Sequence, residues 1–208
     1  SPVLLEGPTG AGKTALVEEL ARRCRGTDLV TVHLGDQTDG KALLGAYVAT
    51  DVPGEFRWQP GVLTRAVELG AWILIEDLDL APLDVASVLL PLLESRRLFV
   101  AARGEHLPAA PGFQIFATQS TGAATGAGGG APRSALLGGS LWTRIAVTPL
   151  ARDELTAVVA ARFPSLGAAG LAPRILDTFD AVRALTMGPS GSGARPLSTR
   201  DLLRWCDR

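Results

Sequence analysis

Eight consecutive residues have types and a spacing that could do chemistry: Gly7, Pro8, Thr9, Gly10, Ala11, Gly12, Lys13 and Thr14. They fit the phosphate-cradling pattern G-x-x-x-x-G-K-[ST] at every defined position. The glycines let the backbone curl until successive N–H groups converge on phosphate oxygens. A helix beginning at Lys13 would add partial positive charge at the same point. The Lys13 ammonium would reach the β- and γ-phosphates, and the Thr14 hydroxyl would hold Mg2+. All eight are therefore candidate nucleotide-binding residues. The bland alternative is a glycine-rich turn ahead of an ordinary helix. The apolar run Val3-Leu4-Leu5 before the octapeptide and the helical pattern Lys13–Cys24 after it favour the site.

A phosphate loop needs a carboxylate partner, and the chain supplies one. The apolar run Trp72-Ile73-Leu74-Ile75 ends in Glu76 and Asp77. Glu76 is the candidate Mg2+ ligand beside Thr14. Asp77 is the candidate base that polarises an attacking water. An acidic pair after a buried strand is more often a helix cap or a solvated turn; the phosphate loop tips the balance. The common order is Asp then Glu, and here it is reversed. Asp77 is one methylene shorter than the usual base, and a misplacement of about 1 Å can cost orders of magnitude in rate. Nucleotide binding without efficient hydrolysis therefore stays open.

These groups need a scaffold. Apolar β-type runs fall at Val3–Leu5, Leu29–Leu34, Trp72–Ile75, Phe113–Ala117 and Ile145–Val147. They are continuously rather than alternately apolar, which predicts strands buried on both faces. Helical patterns between them (Lys13–Cys24, Lys41–Tyr47, Gly61–Leu69, Leu83–Glu94) predict a parallel sheet covered on both sides. In such a sheet ligands bind at the carboxyl ends of the strands, where the octapeptide and both acids would lie. After Pro149 only helical patterns follow: Asp153–Arg162, Ile175–Leu185 and Ser198–Asp207, with Asp153 and Ser198 as candidate N-caps. The expected division is an α/β core over residues 1–149 and a small helical lid over 150–208. Thr121–Gly139 and Met187–Ala194 are rich in Gly, Ala and Ser and read as flexible loops.

Composition sets outer bounds. The 208 residues are 47% hydrophobic and 20% charged, enough to bury a sizeable core. A net charge of −1 argues against a general nucleic-acid surface, and no direct nucleic-acid contact is expected. The basic run Arg22, Arg23, Arg25 reads as a solvated helix end. Cys24 and Cys206 have no metal-ligand spacing and suit a reduced intracellular compartment. There is no apolar run of membrane-spanning length and no signal peptide, so no membrane partner is expected. Residue 1 is not Met and the first strand starts almost at once, which suggests a segment of a longer chain.

With both motifs in hand, the chain resembles the AAA+ ATPases, and within them the midasin family of dynein-related AAA proteins. Three segments carry the likeness: Gly35-Asp36-Gln37-Thr38-Asp39-Gly40-Lys41 with Leu43-Leu44-Gly45, Asp51–Gly61, and Trp72–Pro82 continuing into Leu83-Asp84-Val85. The likeness runs over about Val3–Thr118, Leu141–Leu166 and Arg195–Trp205, and is strongest to the first of the six AAA modules these proteins carry in one polypeptide. It implies a P-loop NTPase fold, a five-stranded parallel sheet in a three-layer sandwich with a C-terminal α-helical lid. It also implies ATP and Mg2+ as ligands. Gly54–Pro60 would be the insert that marks this branch, facing a ring pore or neighbouring modules. Its exposed-looking aromatics, Phe56 and Trp58, could equally pack on the core. Arg96–Pro108 resembles the hairpin ahead of the fourth strand.

Three positions depart from or follow the family one by one. The fourth strand of relatives ends Ala-Thr-x-Asn, the Asn orienting the attacking water; here Ser120 stands in that place and can do only part of the work. An arginine finger normally precedes the aromatic of the fifth-strand region. Here Ser140-Leu141 precede Trp142, and Arg144 lies two residues late. Ser198-Thr199-Arg200-Asp201-Leu202 matches the lid segment with the sensor arginine, so Arg200 would read the γ-phosphate. The bland alternative for Arg200 is a surface arginine paired with an acid.

The resemblance implies an ATPase module within a pseudo-hexameric ring of neighbouring AAA modules in one chain. That ring would remodel pre-60S ribosomal particles and release assembly factors in the nucleus. A binding-only module that shapes the ring is one alternative. A chaperone of the MoxR or chelatase type, built from separate copies, is another. A small-molecule kinase is weaker, because the lid shows no arginine cluster.

Overall fold

Alternate residues of the central strands enter two different cores. Leu4, Ile73, Ile75, Ile115 and Ala117 join one buried cluster, while Leu5, Leu74 and Phe116 join another with Val17 of the first helix. Successive side chains on a strand point to opposite faces. A strand that is apolar at every position must therefore be covered on both sides, and here it is.

The computed structural model describes residues 1–25, 29–35, 38–121, 136–186 and 197–207. Most of the expected loop Thr121–Gly139, all of Met187–Ala194, Arg195 and the pair Asp36-Gln37 lie outside the described residues. In chain order the first elements are β1 (Val3–Gly7), α1 (Lys13–Arg25), β2 (Val30–His33), α2 (Gly40–Leu44), β3 (Gly45–Ala49), β4 (Phe56–Pro60) and α3 (Val62–Leu69). There follow β5 (Trp72–Glu76), α4 (Leu83–Ser95), β6 (Arg97–Val100), β7 (Glu105–Pro108), β8 (Gln114–Ser120) and β9 (Thr143–Ala146). The last helices are α5 (Arg152–Arg162), α6 (Pro164–Ala168), α7 (Ala172–Thr186) and α8 (Thr199–Cys206).

Five strands form one parallel sheet in the order β2-β5-β8-β1-β9. All five overlap the apolar runs of the sequence, but β9 lies at Thr143–Ala146 rather than Ile145–Val147 and is exposed along its length, and β2 is exposed at Thr31 and His33, so the expected burial on both faces does not extend to these two edge strands. Leu43, Leu63, Val67, Val85, Leu89 and Leu92 from α2, α3 and α4 cover one face; α1 covers the other through Val17. The result is the expected three-layer sandwich. The other four strands make two antiparallel hairpins, β3–β4 and β6–β7.

Two compact units are present: residues 1–6 with 13–147, and residues 7–12 with 148–208. The second unit has its own small core, in which Val159, Ala172, Leu176, Phe179 and Leu202 bring α5, α7 and α8 together. At the start of α8 the Asp201 carboxylate accepts the Ser198 N–H (2.9 Å) and hydroxyl (2.7 Å), so Ser198 is the N-cap.

Local expectations needed correction at three points. The helix expected over Lys41–Tyr47 stops at Leu44, because Gly45 takes φ 114° and opens β3. A Cβ there would lie 2.4 Å from the Gln59 carbonyl oxygen, so the hairpin closes only over a glycine. Asp153 is not the N-cap of α5; Ala151 is, and its N–H is accepted by the Glu154 carboxylate at 2.8 Å. The aromatics Phe56 and Trp58 do not share a fate. Phe56 is 67% exposed, while Trp58 packs against the core and meets Tyr47 edge-on, with ring centroids 5.3 Å apart.

Candidate functional site

The turn after β1 owes its shape to two glycines. Gly10 and Gly12 have φ of 84° and 89°, a region other residues enter at a cost. A Cβ on Gly12 would meet nothing within 4 Å, so only conformation demands glycine there. A Cβ on Gly10 would also crowd the Thr199 backbone nitrogen at 3.0 Å, within the same compact unit. The Ala11 N–H closes the turn on the Pro8 carbonyl at 3.2 Å. Gly7 ends β1, and Pro8 and Thr9 lead into the turn.

Lys13 and Thr14 open α1. Lys13 is only 8% exposed, which is rare for a lysine without a charged task. The Thr14 hydroxyl donates to Glu76 Oε1. Glu76 ends β5 and is 6% exposed. Its other oxygen, Oε2, is 2.6 Å from His33 Nδ1.

His33 escaped the sequence reading. The signal lies in the strand order, which no local pattern reveals. Once β2 lies parallel to β5, His33 is the register partner of Glu76, and their side chains leave the sheet on one face.

Asp77 follows in a left-handed conformation, φ 56° and ψ 51°. Its N–H donates to the Thr118 hydroxyl on β8 at 3.2 Å. Burial holds the Asp77 carboxyl above the ordinary aspartate range. The like charges of Asp79 and Glu76 add to this, and Lys13 and His33 oppose it. Asp79 Oδ1 and Gln119 Oε1 are buried nearby in sequence and find no hydrogen-bond partner among the described residues.

The structure thus joins Lys13, Thr14, Glu76 and Asp77 in one neighbourhood. Ser120 is the last residue of β8, the strand beside β5. Arg200 is exposed in the first turn of α8, inside the second unit. Arg144 is engaged within its own unit, paired with Glu6 and bonded to the Leu137 carbonyl. Arg22 and Arg23 both clasp Glu19 on the α1 surface, as a solvated helix face would.

The residues present fit a magnesium–triphosphate group. Thr14 and Glu76 offer hard oxygen donors, and the buried Lys13 ammonium precedes Thr14 in sequence. No cluster of three or more His, Cys, Asp or Glu able to hold a metal occurs among the described residues. Mg2+ is usually bound through one or two protein oxygens and completes its shell with phosphate and water.

Comparison with known proteins shows the family. The family profile described as AAA domain (dynein-related subfamily) matches residues 2–133, and the one described as Midasin AAA lid domain matches residues 154–208. Midasin of Dictyostelium discoideum is 46% identical over 179 residues, which is 86% of this chain but 3% of that relative. Protein NorQ of Paracoccus denitrificans is 43% identical over 122 residues, covering 58% of this chain and 44% of its own. A solved chain from Cytophaga hutchinsonii, an ATPase by inference, shares the fold. Its TM-score is 0.56 at 19% identity, over 99% of this chain and 52% of that one.

Proposed function

The chain belongs to the dynein-related subfamily of AAA domains, an ATPase family, and on that premise we propose that it is an ATP-binding module of a midasin-like ring machine. The observation that carries the reading is Glu76. A 6% exposed carboxylate accepts the Thr14 hydroxyl at the start of the helix that begins with the buried Lys13. Few roles other than holding a metal–phosphate group explain a buried lysine, a half-buried threonine and a buried glutamate in this arrangement.

In this reading Gly7 to Gly12 direct amide groups at the phosphates, and Lys13 neutralises the β- and γ-oxygens. Thr14 and Glu76 hold Mg2+. Magnesium, when bound, screens charge that develops on the phosphates during transfer. Asp77 polarises the attacking water. Ser120 takes part of the water-orienting work done by Asn in relatives. Arg200, by its match to the lid segment of the family, senses the γ-phosphate. Residues 1–149 are taken as the core and 150–208 as the lid.

The match over the lid supports this reading over a free-standing chaperone. Residues 154–208 fit a midasin lid, whereas the likeness to NorQ covers 58% of the chain. We therefore place the module beside other AAA modules of one polypeptide, in a pseudo-hexameric ring. The proposed substrates are pre-60S ribosomal particles and their assembly factors in the nucleus, with no direct nucleic-acid contact and no membrane. None of the described helices is long and apolar enough to cross a membrane.

A binding-only module is the second reading, favoured by the reversed acids and by Arg144, whose guanidinium is occupied by Glu6. Phosphate release from a ring carrying Asp77→Asn decides between the two. Lost turnover supports hydrolysis here; unchanged turnover with ATP still bound supports the binding-only role.

A further inference from the structure

We propose that His33 is a positioning residue for the metal-holding carboxylate, an inference that rests on the reading of Glu76 given above. Both oxygens of Glu76 are spoken for: Oε1 by the Thr14 hydroxyl and Oε2 by His33 Nδ1 at 2.6 Å. So close an approach to a carboxylate oxygen makes Nδ1 the protonated nitrogen, with its hydrogen donated to Oε2.

The consequence follows from the torsions of glutamate. Its terminal carboxylate rotor is broad and roughly two-fold, so one donor alone does not fix the plane. A second donor on the opposite oxygen does. With Oε2 held by His33, Oε1 stays turned toward Thr14, and the two oxygen ligands of the ion are ordered before it arrives. Partners of this kind orient metal-binding groups in many sites, and losing one typically weakens the metal by about 10- to 100-fold.

Backbone geometry supports the assignment. His33 and Glu76 are register partners across the β2–β5 pair, and the Leu34 N–H donates to the Glu76 carbonyl at 3.1 Å. The donor is thus tied to the carboxylate by the sheet itself. The imidazole is otherwise 71% exposed and adds little to the core, which separates a positioning role from a packing role.

The test is binding of a fluorescent, non-hydrolysable ATP analogue to the full chain across a titration of free Mg2+, and again in excess chelator. Wild type, His33→Ala, His33→Asn and Glu76→Gln are compared. His33→Ala is expected to need about tenfold more Mg2+ for half-maximal binding. Its binding in chelator should match wild type. His33→Asn, whose amide can donate to the same oxygen, should recover most of the shift. An unchanged midpoint in His33→Ala overturns the proposal, as does an equal shift in the Ala and Asn variants. Glu76→Gln that binds with the wild-type Mg2+ midpoint removes the role of Glu76 itself, and the inference with it.

Discussion

The Thr118 hydroxyl accepts the backbone N–H of Asp77 at 3.2 Å, so β8 holds the residue that follows β5 in its left-handed turn. Thr118 is 3% exposed, and water cannot replace it as acceptor. Replacing Thr118 by Val keeps the shape and removes the acceptor. The expected loss is about 1–3 kcal/mol of folding stability, the cost of an orphaned buried N–H. Urea unfolding should show it, and Thr118→Ser should restore most of it. Hydrolysis should fall more than nucleotide affinity, because Asp77 and not Lys13 is displaced.

Asp77 also predicts a pH dependence. Its folded pKa is raised, so ionising it is harder in the folded chain than in the unfolded one. Folding stability linked to this group is fully present below the ordinary aspartate range and is lost as pH rises through the raised value. Asp77→Asn removes that loss. The Asn variant should melt at or above wild type at pH 8, and the gap should close in acid, where the wild-type carboxyl is protonated in both states. Thermal melts across pH check this; a gap that widens in acid contradicts it.

Gly45 tests the correction at the end of α2. Alanine there must adopt φ 114° with its Cβ 2.4 Å from the Gln59 carbonyl oxygen and 2.7 Å from the Gly61 nitrogen. The clash is with the backbone of residues 59–61 and cannot be relieved by a side-chain rotation. Gly45→Ala should lose about 2 kcal/mol or more in urea unfolding, at the severe end for one methyl group. A variant within about 0.5 kcal/mol of wild type, as at an ordinary surface position, would mean that the hairpin closes differently.

The central strands β1, β5 and β8 and the phosphate turn were legible because continuous apolar runs and a glycine-lysine spacing are local signals. Glu76 and Asp77 were legible as a pair for the same reason. His33 and Thr118 were not. Each acts across neighbouring strands, and adjacency such as β2 beside β5 is set by packing of the whole sheet. The short α2 was misjudged because Leu43 and Leu44 continue an apolar helical pattern that Gly45 ends only through a contact 14 residues away, at Gln59. Arg144 could be seen to lie two residues late, but its engagement by Glu6 depends on the β1–β9 pairing.

The central claim is that the turn after β1 and the buried Lys13 hold a nucleoside triphosphate. Titration of the chain with Mg-ATP, wild type against Lys13→Ala, tests it most directly. Removing an ammonium bonded to phosphate should weaken binding by about 10- to 100-fold, while circular dichroism shows the fold retained. Equal affinity in the two proteins, both folded, would contradict the account.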